Sequence, residues 1–322
     1  MDEKERRKEV EEIVELVLND YGQDRDIDKM DIFKQPDRVV VEDIVRKMMR
    51  VLFPGYYRDK EYKFYNAYNK LTVLLEDIMY NLTGQITMAL AYDPDYQGAD
   101  DRTLEEAARS ISVEFFRQIP KIRDYIETDI QATFDGDPAA FNKEEIVLSY
   151  PGLKASTIYR VAHELQVQKV PMIPRMMTEF AHSETGIDIH PNATIGRYFF
   201  MDHGTGIVVG STSIIGEHVR VYQGVTIGAL SLKGGHDLHG TRRHPTIEDR
   251  VTIYSGASIL GGRTVIGHDS VIGSNAFITR SVDPYTRISI KNQELRIDSD
   301  EQGNAALDSR PVEPDDSWFY MI

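Results

Sequence analysis

Ile189-His-Pro-Asn-Ala-Thr-Ile195-Gly-Arg-Tyr-Phe-Phe-Met201-Asp-His-Gly-Thr-Gly-Ile207 opens a stretch in which an aliphatic residue returns at almost every sixth position. The frame resumes as Val209, Ile215, Val221 and Ile227, then reads Ile247, Ile253 and Ile259, and after one slip Ile266, Ile272 and Ile278. Gly often follows the aliphatic residue, as at Gly196, Gly210, Gly216, Gly228, Gly267 and Gly273. A helix repeats about every 3.6 residues and a strand about every two, so neither explains a period of six. A short repeat of this kind predicts a β-helix, whose stacked coils bury one aliphatic ladder. Three six-residue faces make one triangular coil. The small residue two before a ladder position, at Ala193, Ser213, Val219, Val225, Ala257 and Ala276, fits inside the corner.

The rest of the chain frames this repeat. Its 322 residues suffice for two domains and a sizeable core, and 41% hydrophobic with 28% charged residues is ordinary for a globular protein. A net charge of −15 argues against a nucleic-acid surface and against anionic membranes. The charged segment from Met1 to Asp20 has a helical pattern and no apolar core for export, and no long apolar run predicts a membrane span. Cysteine is absent, which excludes disulfides, thiolate metal sites and a Cys nucleophile and fits a cytoplasmic protein.

Three parts are expected: a helical domain over 1–182, the β-helix over 183–290 and an acidic, flexible tail over 291–322. Helical spacing covers Glu3–Leu18, with apolar Val10, Ile13, Val14 and Val17, then Val41–Leu52, Glu61–Leu82, Thr103–Gln118, Lys121–Phe134 and Lys154–Gln168. Asp100 and Asp101 offer an N-cap before Thr103. Pro171 and Pro174 are expected to break the pattern. Taken alone, the first part reads as a bundle that packs and oligomerises. Inside the repeat, residues 229–245 leave the hexad and hold Gly234, Gly235 and Gly240, so they are expected to protrude as a mobile loop.

The ladder has no structural use for Asp-His-Gly-Thr-Gly at 202–206. An imidazole at His203 on the outer surface suits general-base work near neutral pH. Asp188 lies fifteen residues earlier, close to one coil, so stacking is expected to bring its carboxylate near His203 and fix the tautomer. Arg243 and His244 stand where the loop rejoins the repeat. An arginine fork suits a carboxylate, and a solvated basic turn with Arg242 is the plainer alternative. His236, His239 and His244 raise a zinc reading, but a glycine-rich loop is a poor cage for a tetrahedral ion, and no metal is expected.

Gly186-Ile-Asp188-Ile-His-Pro191, Ile195-Gly-Arg197, Asp202-His203-Gly-Thr-Gly-Ile-Val-Val-Gly210 and Arg243-His244-Pro245 resemble serine O-acetyltransferase, a left-handed β-helix (hexapeptide-repeat) acyltransferase family. Thr128-Asp-Ile-Gln-Ala132, Asp137-Pro138-Ala139 and Tyr159-Arg160 resemble that family's helical domain. The resemblance covers residues 125–285 and implies an α+β protein: an all-helical domain, then a left-handed parallel β-helix with one protruding loop. It implies acetyl transfer from acetyl-CoA to L-serine in cysteine biosynthesis. His203 then matches the general base and Asp188 its carboxylate partner. Asp137 and Asp202 match the residues that hold the substrate ammonium, and Arg243 and His244 those that grip its carboxylate. Gly228, Ala229, Gly256, Ala257 and Ser274 match the wall of the acetyl-CoA groove. Also implied are homotrimers with active sites between subunits, pairing of two trimers through the helical domain, inhibition by cysteine, and docking of the terminal Ile322 into O-acetylserine sulfhydrylase. The chain departs from the family in a longer loop after Ile227, in Tyr254 where Gly is usual, and in Arg287-Ile-Ser-Ile-Lys-Asn292 where a Gly-x-Pro-Ala turn is usual.

Three other functions are consistent with parts of this pattern. One is an acyltransferase for an amino sugar or another hydroxy amino acid; Asp137 with Arg243 discriminates, since a zwitterion needs both signs. The second is a γ-carbonic-anhydrase-like zinc enzyme. The third is a non-catalytic scaffold that binds a partner through its tail.

Overall fold

A computed structural model describes residues 2–23, 25–28, 34–57, 67–231 and 240–290. Eight α-helices come first: α1 (Glu3–Tyr21), α2 (Arg38–Leu52), α3 (Ala67–Leu90), α4 (Asp101–Arg117), α5 (Ile119–Gly136), α6 (Lys143–Ser149), α7 (Pro151–Val167) and α8 (Ile173–Thr185). Their starts follow from the sequence. Asp37 caps α2 by accepting from the amides of Val39 and Val40, and Asp100 caps α4 by accepting from that of Thr103. The expected break is present before Pro171, where α7 ends at Val167, but Pro174 breaks nothing: it stands in the first turn of α8, where a missing N–H costs nothing. α6 has only seven residues, too few to show a period, and begins at an Asn142 cap. The helical part therefore runs to Thr185 rather than 182. The expected start of α3, from Glu61, lies outside the described residues, as does the tail.

Among the described residues, fourteen short strands follow and stack into three parallel sheets, the faces of a β-helix of about five turns. One face carries β1 (Asp188–Ile189), β4 (Val208–Val209), β7 (Thr226–Gly228), β10 (Ser258–Leu260) and β13 (Phe277–Ile278). The second carries β2 (Thr194–Ile195), β5 (Ile214–Ile215), β8 (Thr246–Ile247) and β11 (Val265–Ile266). The third carries β3 (Phe200–Asp202), β6 (Arg220–Tyr222), β9 (Thr252–Ile253), β12 (Val271–Ile272) and β14 (Arg287–Ile288). The expected ladder is the core: Ile215, Val221, Ile227, Ile247, Ile253, Ile259, Ile266 and Ile272 are buried, as are the small corner residues Ala193, Ser213, Val219, Val225, Ala257 and Ala276. Each such Ile contributes about 1.5–3 kcal/mol on burial.

The coils are not all eighteen residues long. Ile189 pairs with Val209, Val209 with Ile227, Ile227 with Ile259 and Ile259 with Ile278. The first step is twenty residues, and its two extra residues lie between Asp202 and Val208, at the corner that holds His203. Ile207 is accordingly not a ladder residue: it sits two before Val209 and is buried at the inner corner. The step from Ile227 to Ile259 spans the excursion at 229–245, whose residues 232–239 lie outside the described residues.

Two cores meet at α7. The helical core is continuous, while Ala155 and Tyr159 of α7 pack into the β-helix core. The Tyr159 hydroxyl donates to the Ala193 carbonyl at 2.6 Å. Buried Arg160 binds both oxygens of buried Asp129 on α5 at 2.7 Å and the Gly196 carbonyl at 2.9 Å, and the Phe199 amide donates to Asp129 at 3.0 Å. This junction brings the end of α5 onto the third face. A Cβ added at Gly136 would lie 2.6 Å from the Phe200 ring, so only glycine permits that approach.

Candidate active site

The corner between the third and first faces gathers the first group of side chains. His203 follows β3 with φ +53°, a left-handed conformation. Its backbone amide donates to Asp202 Oδ1 at 2.8 Å, its Nε2 lies 3.8 Å from Asp202 Oδ2, and its ring is 58% exposed. Asp137, at the C-terminal cap of α5, arrives opposite. Its Oδ2 accepts from the Tyr150 hydroxyl at 2.5 Å and its Oδ1 from the Ala139 amide at 2.8 Å. Burial pushes the Asp202 carboxyl up, with a further push from Asp137, while His203 pulls it down. Burial also raises the Tyr150 phenol, and Asp137 raises it further. Asp202 stands in register with Tyr222, which stacks on Tyr254 at 4.9 Å between ring centres. Burial and then Tyr254 and Asp202 push the Tyr222 phenol up to about 12.

The second group lies where the first face turns into the second. Thr212 organises it: its hydroxyl accepts from the amides of Arg243 at 2.8 Å and His244 at 3.0 Å, and it lies 2.8 Å from His244 Nδ1. The Thr212 amide also donates to that Nδ1 at 3.1 Å. Nδ1 is thus an acceptor and the neutral ring carries its proton on Nε2. Burial lowers the His244 pKa, and Arg243 lowers it further. The ring lies over Gly210, where a Cβ would come within 2.2 Å of Nε2. Arg243 reaches the Ser211 hydroxyl at 3.3 Å. Nearby, His190 is held neutral, its pKa pushed down to about 4 by burial first and then by Arg175, with His244 and Arg243 adding to the effect.

Asp188 lies on the first face between the two groups, in register with Val208. Arg175 of α8 donates to its two oxygens at 2.8 and 3.4 Å and also pairs with Glu179. The anticipated bond between Asp188 and His203 is not made within the single chain. Its partner comes instead from a helix that the two prolines hid, so no spacing argument within the repeat pointed to Arg175. Of the residues read as the acetyl-CoA wall, Gly256 and Ser274 stand on the His203 corner and Gly228 and Ala229 on the Arg243 corner. Ala257 is buried inside its coil, its amide bonded to the Tyr254 carbonyl and its carbonyl to the Thr226 amide. Sequence reasoning also missed Tyr150, His190 and Tyr222. Only their placement next to Asp137, Asp188 and Asp202 singles them out.

A metal finds little here among the described residues. Donor atoms of Glu179, His182 and Asp188 lie within 4.8 Å of one another, but the Arg175 guanidinium already binds both carboxylates. In the zinc reading, His236 and His239 lie outside the described residues, and His244 has committed its Nδ1 to Thr212.

A helical domain docked on a parallel β-helix with a six-residue repeat places the chain in the hexapeptide-repeat acyltransferase class. The chain is 39% identical over 274 residues to the plasmid serine acetyltransferase of Synechococcus elongatus, covering 83% of this chain and 85% of that one. It is 45% identical over 132 residues to the Bacillus subtilis serine acetyltransferase, covering 41% of this chain and 58% of the other. Among solved structures, Entamoeba histolytica serine acetyltransferase 1 in complex with L-cysteine matches with a TM-score of 0.68 at 34% identity, over 78% of this chain and 86% of that chain. Isoform 3 from the same organism, in complex with cysteine, matches with a TM-score of 0.69 at 32% identity, over 89% and 94%. Compared with models of known protein families, the chain matches none. The chain belongs to the serine acetyltransferase family.

Proposed function

We propose that the chain acetylates the hydroxyl of L-serine by direct transfer, with His203 as general base. The observation that carries this reading is the presence of both signs of charge in two built groups: Asp137 and Asp202 beside His203, and Arg243 with a neutral, Nε2-protonated His244. A zwitterionic acceptor needs both, which disfavours an amino sugar. Asp137 and Asp202 hold the ammonium, and Arg243 and the His244 Nε2–H hold the carboxylate. His203 takes the hydroxyl proton as the serine oxygen attacks the acetyl carbon, and returns it to the leaving thiolate. Asp188 supports the imidazolium once Arg175 releases it, with Glu179 as that guanidinium's other partner.

Acetyl-CoA, the co-substrate, supplies an already activated thioester. The His203 corner fits such an arm. Gly206, Gly224 and Gly256 stack along it as bare backbone, all with positive φ, and a Cβ at Gly256 would lie 2.4 Å from Asn275 Oδ1. Beside them the buried Gln223 Oε1 has no hydrogen-bond partner among the described residues and can accept from an amide of the pantetheine arm.

The two groups stand on different corners of one chain. This supports a homotrimer whose sites form between subunits. Helix α1, with Val10, Ile13 and Val14 exposed and no residue buried, supports further pairing of trimers. Docking of Ile322 into O-acetylserine sulfhydrylase stays a proposal on a residue outside the described ones; binding that survives removal of Ile322 would refute it. A cysteine-free chain supports a cytoplasmic setting, and among the described residues no helix is long and apolar enough to cross a membrane.

Free-thiol release from acetyl-CoA, followed with L-serine and with other hydroxy acceptors, tests the activity. His203→Ala is expected to lower kcat by about 10²–10⁴-fold. A scaffold or a zinc hydratase would show no serine-dependent release in the wild type. L-cysteine added to the same assay is expected to compete with L-serine.

A further inference from the structure

We propose that Tyr150, Tyr222 and Tyr254 form, around Asp137 and Asp202, a wall that selects acceptors carrying a protonated amine. The proposal rests on the serine reading above and names residues that reading does not use.

Two half-buried carboxylates converge from different domains. Asp137 comes from the end of α5 and Asp202 from β3, and the Asp137 charge raises the cost of ionising Asp202. A bound cation relieves that repulsion. The tyrosines make the arrangement specific. The Tyr150 hydroxyl donates to Asp137 Oδ2 at 2.5 Å while the Ala139 amide holds Oδ1, so the carboxylate plane is fixed before any ligand arrives. Tyr222 projects from the third face in register with Asp202. Its ring is held from two sides, edge-on against Phe200 at 6.3 Å and stacked on Tyr254 at 4.9 Å with a 24° tilt. Three coils thus present Asp202, Tyr222 and Tyr254 as one outward row. Ring faces attract an ammonium ion and offer nothing to an uncharged substituent. The strand register sets the Tyr222 ring directly beneath Asp202 in the coil stack, beside that carboxylate.

The rival role for the same rings is a wall of the pantetheine path, and kinetics separates the two. Thiol release is measured with L-serine and with 3-hydroxypropanoate, which keeps the hydroxyl and the carboxylate but has no amine. In Tyr150→Phe and Tyr222→Leu the kcat/KM for L-serine is expected to fall about tenfold. In the same variants the value for 3-hydroxypropanoate and the KM for acetyl-CoA are expected to change less than about twofold. Tyr222→Phe, which keeps the ring, is expected to keep the preference. Equal losses for both acceptors, or a rise confined to the acetyl-CoA KM, would overturn the proposal. If the wild type transfers no acetyl group to L-serine, the proposed function fails, and equilibrium binding then reads the wall alone. A preference for L-serine over 3-hydroxypropanoate that Tyr150→Phe abolishes supports it; equal binding of the two overturns it.

Discussion

His190 shows how much a single side chain in this protein depends on burial. Its Nδ1 accepts from the Asn192 amide at 3.1 Å, a bond that only an unprotonated nitrogen can accept. Its folded pKa of about 4 lies below the ordinary 6.5, so the unfolded chain binds more protons in between. Stability is therefore full above 6.5 and is lost as pH falls toward 4. The melting temperature of the wild type is expected to drop more steeply across this window than that of His190→Gln; parallel profiles would refute the assignment. At this scale the sequence marked some candidate residues and hid others. Asp202 and His203 were legible because Asp-His-Gly-Thr-Gly interrupts a ladder that has no use for it. Arg243 and His244 were legible because they close an excursion. Asp188 was legible as a carboxylate, but its Arg175 partner was not, since that contact comes from another domain.

Among the elements, α5 and α7 matter most, because they fasten the helical domain to the first coil. The buried Asp129–Arg160 pair links the two helices to each other and to the Gly196 carbonyl and Phe199 amide. Removing one charge leaves the other buried and unpaired, a loss of about 3–5 kcal/mol. Asp129→Asn is expected to lower the denaturation midpoint accordingly, and it should also weaken L-serine use, because α5 carries Asp137 at its end. A midpoint like that of the wild type would show the pair to be dispensable. The sequence segments that contain Asp129 and Arg160 were conspicuous separately, but that they bind each other is a tertiary fact. Most helices were legible from apolar spacing. α8 was not, because Pro174 starts a helix as readily as it ends one, and neither was α6, too short for a period. α3 runs on to Leu90 through Thr83-Gly84, where packing of Ile86, Ala89 and Leu90 outweighs the local cost of glycine.

For the whole molecule, the division of the candidate site between two corners makes a prediction about subunits. His203→Ala spoils one corner and Arg243→Ala the other. Each variant alone is expected to be nearly inactive. Co-expressed in equal amounts, they are expected to regain about a quarter of wild-type activity, because random mixing in the proposed trimer leaves one intact site in each mixed assembly. A mixture no more active than its parts would place the whole site within one chain. The six-residue period determined the β-helix from sequence alone, because only stacked coils bury one aliphatic position in six along a continuous core, and that demand is local and repeats in every coil. Which polar side chains share a corner was decided by the tertiary structure. The two extra residues at the His203 corner and the excursion before Arg243 shift each coil against the next, and the helix that reaches Asp188 packs from outside the repeat. Counting along the chain finds the slip after Ile207 and the excursion at 229–245, but not which side chains then meet, since that is set by where backbone closes and helices dock.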